Sequence, residues 1–263
     1  MKTDIKLSAY LWAWTDVDAG TKAVKLLKKY HPDTDIFINV DFDGDLDGYT
    51  KLGEEVGATV TKHNFQVGYC GDFGGRVYGR SHWPKENTFE WIRGLYDACK
   101  KTDSKYMIIL EEDIFLLRPL SMLDTEFSML VHATAPSATG RWRENHVPRQ
   151  FLEFSAKHGG VGTCPGYGAG GGCIFNREQF IKSWDKAKPL LWEVYEDFEK
   201  INKIIGWQDF IVQYVMMIGG YIIEQHYICA QEWEHPNWRT EPNYKGQPYE
   251  MIGGLKDHTE MKL

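Results

Sequence analysis

The chain has 263 residues, of which 43% are hydrophobic, and its formal net charge at pH 7 is -7. This length and apolar content are enough for one large α/β domain or two small ones with a buried core, so disorder is not expected. The negative charge argues against duplex nucleic acid as a partner, because such binding depends on clustered lysines and arginines.

The sequence contains no apolar run of the roughly 20 residues that a membrane-spanning helix needs. Residues 1–10 also lack the apolar stretch of a secretion signal. The five cysteines are widely spaced and include no Cys-x-x-Cys pair, which favours free thiols in a reducing compartment. We therefore expect a cytoplasmic protein without a membrane span.

The first half of the chain alternates strand and helix patterns. Apolar runs predict strands over 5–13, 35–40, 58–61 and 106–110. Periodic apolar positions and end signals predict helices over 19–30, 49–56 and 86–101. This alternation is typical of a mainly parallel α/β sheet flanked by helices, in which ligands bind beyond the carboxyl ends of the strands.

The second half of the chain has a less regular pattern. Strands are predicted over 127–133 and 172–175, and helices over 149–157, 177–204 with a break at Pro189, and 208–218. From Ala230 onward, proline and polar aromatic residues predict an extended tail. Because no linker or repeat is visible, we expect a single domain over 1–263 with two lobes, residues 1–120 and 121–263.

A cluster of acidic residues ends the most apolar predicted strand. The run over 106–110 stops at Glu111-Glu112-Asp113. Adjacent carboxylates repel one another, so a cation should compensate them. Mn²⁺ or Mg²⁺ would suit, because hard cations favour carboxylate oxygens together with substrate phosphates. Solvated loop acids at a strand exit are the alternative.

The second motif is the glycine-rich stretch Gly166-Tyr167-Gly168-Ala169-Gly170-Gly171-Gly172. Glycine removes side chains where a ligand or another backbone approaches closely, although it carries an entropic cost in folding. No lysine follows at the spacing of a phosphate-binding P-loop. A flexible turn before a helix is the alternative.

The third motif is Gly206-Trp207-Gln208-Asp209-Phe210, which opens the predicted helix over 208–218. An acid in the first turn of a helix is favoured by the helix dipole and needs no catalytic reason. The motif alone therefore does not indicate a catalytic role, and its order after the other two motifs is the informative feature.

The three motifs, in this order, resemble the GT-A glycosyltransferases. The acidic triplet is similar to their DxD segment, and the glycine-rich stretch is similar to the Gly-Ala-Gly-Gly segment of fringe-like galactosyltransferases. The resemblance implies a GT-A fold of the Rossmann-like α/β class. It also implies transfer of a sugar from a nucleotide diphosphate donor, with a UDP-sugar favoured, to a carbohydrate acceptor.

The resemblance implies roles for the first two motifs. Asp113, at the third position of the acidic triplet, would bind the metal on the diphosphate, and Glu111 would contact ribose or metal. Glu112 would lie with them against the nucleotide. Gly170 and Gly171 would form the floor beneath the donor sugar and the acceptor.

The resemblance also implies roles near the C-terminus. Asp209 would be the general base of an inverting transfer. His258 would complete the metal site, and Lys262 would contact the diphosphate. Acceptor sugars would stack on tryptophans, for which the candidates are Trp207, Trp233 and Trp238.

Two further positions are expected near the donor. Arg76 lies in a glycine-rich loop over 68–79 and Arg80 directly follows it, and a guanidinium offers a planar fork of donors that suits a diphosphate or a sugar. Surface arginines on a loop are the alternative. Asp41, at the end of the predicted strand over 35–40, is expected to contact the base or the ribose.

One motif indicates a different function. Asp43-Gly44-Asp45-Leu46-Asp47-Gly48 with Glu54 fits the calcium-loop pattern of EF-hands, but a strand rather than a helix is predicted before it. The alternative function is a calcium-dependent carbohydrate-binding module without catalysis. A nucleotidyltransferase is less favoured, because residues 12–16 lack the basic glycine-rich loop that follows the first strand in such enzymes.

Overall fold

The computed structural model of the chain describes residues 7–64, 89–132, 153, 156–158, 172–193, 208–226, 229–231 and 249–254. The strands in these ranges are β1 (Leu7–Ala13), β2 (Asp35–Val40), β3 (Thr59–Lys62), β4 (Tyr106–Glu111), β5 (Phe115–Leu116), β6 (Met129–His132), β7 (Ile174–Asn176), β8 (Ile223–His226), β9 (Cys229–Gln231) and β10 (Met251–Gly253). The α-helices are α1 (Val17–Tyr30), α2 (Leu46–Val56), α3 (Glu90–Lys100), α4 (Arg177–Ala187) and α5 (Gln208–Ile218).

Seven of the described strands form one sheet in the order β3-β2-β1-β4-β7-β6-β8. Neighbouring strands are parallel except at β7, which is antiparallel to both β4 and β6. Strands and helices alternate through the first half of the chain, as predicted. The expectation of a mixed, mainly parallel sheet flanked by helices is therefore confirmed.

Strand β4 is buried on both faces of this sheet. Residues Tyr106 to Leu110 are all 0% exposed. Because successive side chains of a strand point to opposite faces, Met107 and Ile109 pack with α3, α4 and α5, whereas Ile108 and Leu110 pack with α1 and α2. Burial on both faces explains why β4 is a continuous apolar run rather than an alternating one.

A second, smaller sheet contains β5, β10 and β9 in that order. Strand β10 is antiparallel to β5 and parallel to β9. The buried carboxylate of Glu250 accepts a hydrogen bond of 2.9 Å from the backbone N–H of Ser121 and another from its hydroxyl. These contacts fasten the segment 249–254 to the chain that follows the acidic triplet.

Several element boundaries differ from the predicted ones by one to three residues, and two of these differences have a clear local cause. Helix α2 begins at Leu46 rather than at residue 49, since the side chain of Asp45 accepts a hydrogen bond of 2.9 Å from Gly48 N. Strand β7 is displaced by one to two residues toward the C-terminus, because Gly172 has a φ of 70°, which no strand accommodates.

The break predicted at Pro189 is confirmed. Helix α4 ends at Ala187, and a 3₁₀ turn over Lys188–Leu190 follows it. The structure also contains short strands that the sequence did not predict, namely β5, β8, β9 and β10. The helix predicted over 149–157 lies mostly outside the described residues.

Within the described ranges, no helix combines the length and the apolar character that crossing a bilayer requires. Cys99 and Cys173 are buried free thiols, as expected. The cytoplasmic location and the division into lobes 1–120 and 121–263 stay predictions.

Two buried histidines next to strand ends have strongly shifted pKa values. Burial, followed by the neighbouring His132, lowers the pKa of His226 to about 3. Burial, followed by the charge of Arg93, lowers the pKa of His63 to about 4. Because both folded-state values lie below the ordinary value of 6.5, the unfolded chain binds more protons between pH 4 and pH 6.5.

We expect the free energy of unfolding to fall as the pH falls below about 6.5, by up to about 1.4 kcal/mol per pH unit for each histidine. Urea unfolding between pH 7.5 and pH 4.5 measures this slope. His226→Leu should flatten it, since the replacement cannot take up a proton. The neighbouring exposed Gln225→Leu is the control and should keep the wild-type slope; an equal slope in all three proteins would contradict the assignment.

Candidate functional site

Three chain segments meet at the edge of the large sheet where the parallel strands end. Residues 14–16 follow β1, residues 41–45 follow β2, and the acidic triplet follows from β4. The N–H of Asp41 donates to Ala13 O at 2.7 Å, and the N–H of Asp45 donates to Trp14 O at 2.7 Å. The segments are thus in direct contact at the position where α/β sheets bind their ligands.

Glu112 connects the acidic triplet to the segment that follows β1. Its Oε1 atom accepts hydrogen bonds from Trp14 N at 2.5 Å, Asp16 N at 3.1 Å and the Tyr49 hydroxyl at 2.5 Å. Burial raises the pKa of Glu112, and the three hydrogen bonds act in the opposite direction. Burial also raises the pKa of Tyr49, and the Glu112 carboxylate raises it further. The predicted contact between Glu112 and the nucleotide stays a prediction.

Glu111 and Asp113 lie on either side of Glu112 in the chain. Glu111 is the last residue of β4 and pairs with Trp12 of β1 in the parallel register. The N–H of Ile114 donates to Glu111 O at 3.1 Å and closes a turn that contains Asp113. Both acids are half-buried.

The donor set of this turn suits a hard divalent cation. Two carboxylates supply the oxygen ligands that Mn²⁺ or Mg²⁺ accepts, and a bound diphosphate would supply more. No group of three histidine, cysteine, aspartate or glutamate side chains is arranged around a metal position in the part of the chain that the structure describes. The predicted third ligand, His258, lies outside that part.

The end of the glycine-rich stretch reaches the same place. A Cβ atom on Gly172 would lie 3.1 Å from Met251 Sδ and 3.7 Å from Ile114 Cγ2. Gly172 also has a φ of 70°, which side chains rarely accommodate. The acidic turn, Gly172 and strand β10 are therefore neighbours in the fold.

Asp41 and its neighbour Phe42 lie at the end of β2. The Asp41 carboxylate accepts a hydrogen bond of 2.7 Å from Phe42 N. Phe42 is 51% exposed and is, with Ile222, one of the large apolar side chains that remain exposed among the described residues. The exposed position of Phe42 was not predicted from the sequence, in which the available signal was a single aromatic residue among the acids at a strand end.

The acidic loop after β2 does not have EF-hand geometry. Strand β2 precedes it, and α2 already begins at Leu46, so Glu54 lies on the third turn of a helix. Asp45 caps that helix, and Asp43 accepts a hydrogen bond of 2.7 Å from Trp14 Nε1. At least two of the acids of the calcium pattern thus have local structural contacts.

A cavity of about 330 Å³ lies between α3 and strands β1 to β3. Asn39, His63 and Glu90 line it, and each has a buried side-chain polar atom without a hydrogen-bond partner among the described residues. Such atoms carry a desolvation penalty unless solvent or a ligand supplies a partner. This polar cavity was not predicted from the sequence.

Asp209 lies in the first turn of α5, as predicted. Helix α5 ends at Ile218 and β8 begins at Ile223, so a short turn reverses the chain between them. Strand β8 is parallel to β6, and β6 runs in the direction of β4, since both are antiparallel to β7. The first turn of α5 therefore lies toward the edge at which β4 ends.

The other predicted site residues lie outside the described residues. They are Arg76, Arg80, Gly170, Gly171, Trp207, Trp233, Trp238, His258 and Lys262.

Comparison with solved structures finds glycosyltransferases. GlyE from Streptococcus pneumoniae TIGR4 matches with a TM-score of 0.51 and 10% identity, over 96% of this chain and 55% of that chain. The galactosyltransferase LgtC, in complex with donor and acceptor sugar analogs, matches with a TM-score of 0.49 and 16% identity, over 94% of this chain and 86% of that chain. A mannosyltransferase from Pyrobaculum calidifontis, in complex with GDP-Man and Mn²⁺, has a TM-score of 0.46 and 8% identity, over 86% and 58% of the two chains.

No protein-family model matches the chain, and no curated protein sequence matches it. The chain shares the fold of GlyE but spans only 55% of the length of GlyE. Together with the strand order, this likeness confirms the predicted GT-A fold.

We expect Gly172→Ala to lower the free energy of unfolding by more than Gly57→Ala does. Both glycines have a φ of 70°, so both replacements introduce about 1 to 2 kcal/mol of backbone strain. A Cβ on Gly57 meets nothing within 4 Å, whereas one on Gly172 meets Met251. Urea unfolding of the two variants measures the difference, and equal losses would show that the approach of Met251 is not constraining.

Proposed function

We propose that the protein is a metal-dependent glycosyltransferase that moves a sugar from a nucleotide diphosphate, with a UDP-sugar favoured, to a carbohydrate acceptor. One observation carries the proposal. The turn that contains Glu111 and Asp113, the end of the glycine-rich stretch and strand β10 meet at the carboxyl edge of a sheet with the GT-A fold.

The acidic turn is the proposed donor site. Glu111 and Asp113 are the proposed protein ligands of Mn²⁺ or Mg²⁺, with His258 as the third. When bound, the ion neutralises charge on the diphosphate leaving group. Arg76, Arg80 and Lys262 are the proposed cationic contacts of the diphosphate.

The end of β2 is the proposed nucleoside site. Asp41 is at hydrogen-bonding distance of Phe42 N, which fixes the loop that begins there. An exposed aromatic ring is a surface on which a base can stack, and Phe42 offers one. We propose that Asp41 contacts the base or the ribose and that Phe42 packs against the base.

The glycine-rich stretch and the start of α5 are the proposed site of transfer. Gly170 and Gly171 would let the donor sugar and the acceptor approach the backbone closely. The Asp209 carboxylate would accept the proton of the acceptor hydroxyl as its oxygen attacks the anomeric carbon. The bond from that carbon to the diphosphate oxygen breaks in the same step, which inverts the configuration.

Replacing Asp113, the proposed metal ligand, and Glu54, which the calcium alternative requires, distinguishes the two functions. We expect Asp113→Asn to abolish the Mn²⁺-dependent binding of UDP and of UDP-sugars, because a neutral amide is a poor ligand of a hard cation. Glu54→Gln, on the exposed side of α2, should leave that binding unchanged. Calorimetric titration with and without Mn²⁺ measures both variants.

The opposite pattern would support a carbohydrate-binding module. Calcium binding that is lost in Glu54→Gln, with no nucleotide binding in the wild-type protein, would refute the glycosyltransferase proposal. A panel of UDP-, GDP- and ADP-sugars identifies the base, because the nucleotide that fits will raise the melting temperature most.

The proposed general base predicts a specific loss of turnover. Asp209→Asn should retain donor affinity and lose turnover by about 10²–10⁴-fold, since the amide cannot accept the proton. NMR of the wild-type product should show an anomeric configuration opposite to that of the donor. Retention of configuration, or near-normal turnover in Asp209→Asn, would rule out this role.

A further inference from the structure

The middle acid of the triplet contacts the protein through one carboxylate oxygen. Glu112 Oε1 accepts hydrogen bonds from Trp14 N and Asp16 N, which lie 98 and 96 residues earlier in the chain. It also accepts the hydroxyl of Tyr49 from α2. A single side chain thus joins the exit of β4 to the exit of β1 and to a helix.

The surrounding structure is adapted to this contact. Tyr49 is fully buried, and its hydroxyl lies 3.0 Å from Asp16 O as well as 2.5 Å from Glu112. A Cβ on Gly20 of α1 would lie 2.5 Å from that hydroxyl, so a larger residue there would displace the ring. Gly20 therefore makes room for Tyr49 to reach Glu112.

The segment held by Glu112 begins α1 and borders the acidic turn. The carboxylate of Asp16 accepts from Ala19 N at 3.0 Å and caps α1, and Trp14 O accepts from Asp45 N. Without Glu112, the backbone N–H groups of Trp14 and Asp16 would lose this acceptor, and the buried Tyr49 hydroxyl would keep only its contact with Asp16 O. The segment 14–16 would then lose its fixed position relative to Glu111 and Asp113.

We propose that Glu112 is a positioning residue that fixes the segment 14–16 against the acidic turn and thereby sets donor affinity, without itself contacting the metal or the donor. This inference replaces the contact with the nucleotide that the resemblance implied for Glu112, and it rests on the proposed function for its effect on the donor. The contact itself is independent of that function. Its requirements are an oxygen acceptor and the length of a glutamate side chain, not a negative charge.

These requirements distinguish a positioning role from a ligand role. Glu112→Gln keeps the length and an acceptor oxygen, whereas Glu112→Asp keeps the charge and shortens the side chain by one methylene. If Glu112 is a positioning residue, Glu112→Gln should preserve donor affinity better than Glu112→Asp. A residue that contacts the metal would show the reverse order, because an amide is a poor ligand of a hard cation.

The first experiment measures the contact directly in the full chain by hydrogen exchange. Trp14 N–H and Asp16 N–H should be protected in the wild-type protein and in Glu112→Gln, and should exchange at least tenfold faster in Glu112→Asp and Glu112→Ala. Tyr49→Phe should accelerate exchange less, since it removes one of the three donors. Asp124→Asn, an exposed acid of a neighbouring turn, is the control and should not change the two amides.

The second experiment measures UDP-sugar hydrolysis or transfer with Mn²⁺. In Glu112→Ala and Glu112→Asp, the KM for the donor should rise by about tenfold or more, while kcat falls by less than about threefold. Glu112→Gln should stay within about threefold of the wild-type KM.

Each outcome decides one of the two proposals. Wild-type exchange in Glu112→Asp, or loss of protection in Glu112→Gln, would overturn the positioning role whatever the activity. The positioning role would also be overturned if Glu112→Gln lost donor affinity while Glu112→Asp retained it. If the amides behave as expected but the wild-type protein binds no nucleotide, the contact stands and the glycosyltransferase proposal fails, together with the effect on donor affinity.

Discussion

The site depends on the burial of β4 on both faces of the sheet. A strand covered on both sides by helices cannot carry a charge along its length, because an isolated buried carboxylate is strongly disfavoured. The first charge therefore appears where β4 leaves the sheet, at Glu111. Since β1 and β2 are parallel to β4 within the sheet, their exits lie at the same edge, and polar side chains of three segments collect there.

The acids at this edge have different environments although they are adjacent in sequence. Glu112 is held by Trp14, Asp16 and Tyr49, and its three hydrogen bonds offset part of the desolvation that raises its pKa. Glu111 begins the turn that the Ile114 N–H closes, and Asp113 lies within that turn. The three adjacent carboxylates can coexist because they are compensated in different ways. Hydrogen-bond donors of the protein compensate Glu112, whereas the proposed cation would compensate Glu111 and Asp113.

Most regular elements of the fold could be predicted from the sequence because their signals are local. The bounds of β2 and α5 agree with the predicted ones, since an apolar run and a helical apolar pattern define them. Strands β5, β9 and β10 have two or three residues, which is too short for a periodic pattern, and they form only by pairing with distant segments. The contacts of Glu112 could not be predicted either, because its partners are 63 to 98 residues away and two of them are backbone amides.

The pairing of β10 with β5 brings a segment from late in the sequence to the exit of β4. Arg118 Nε donates to Tyr249 O and Leu117 N donates to Glu250 O, both at 2.8 Å, so β10 lies beside the chain that leaves the acidic turn. Met251 is fully buried within reach of Gly172. Closing so long a loop of chain onto the exit of β4 costs conformational entropy, and the strand pair and the burial of Met251 help to offset that cost.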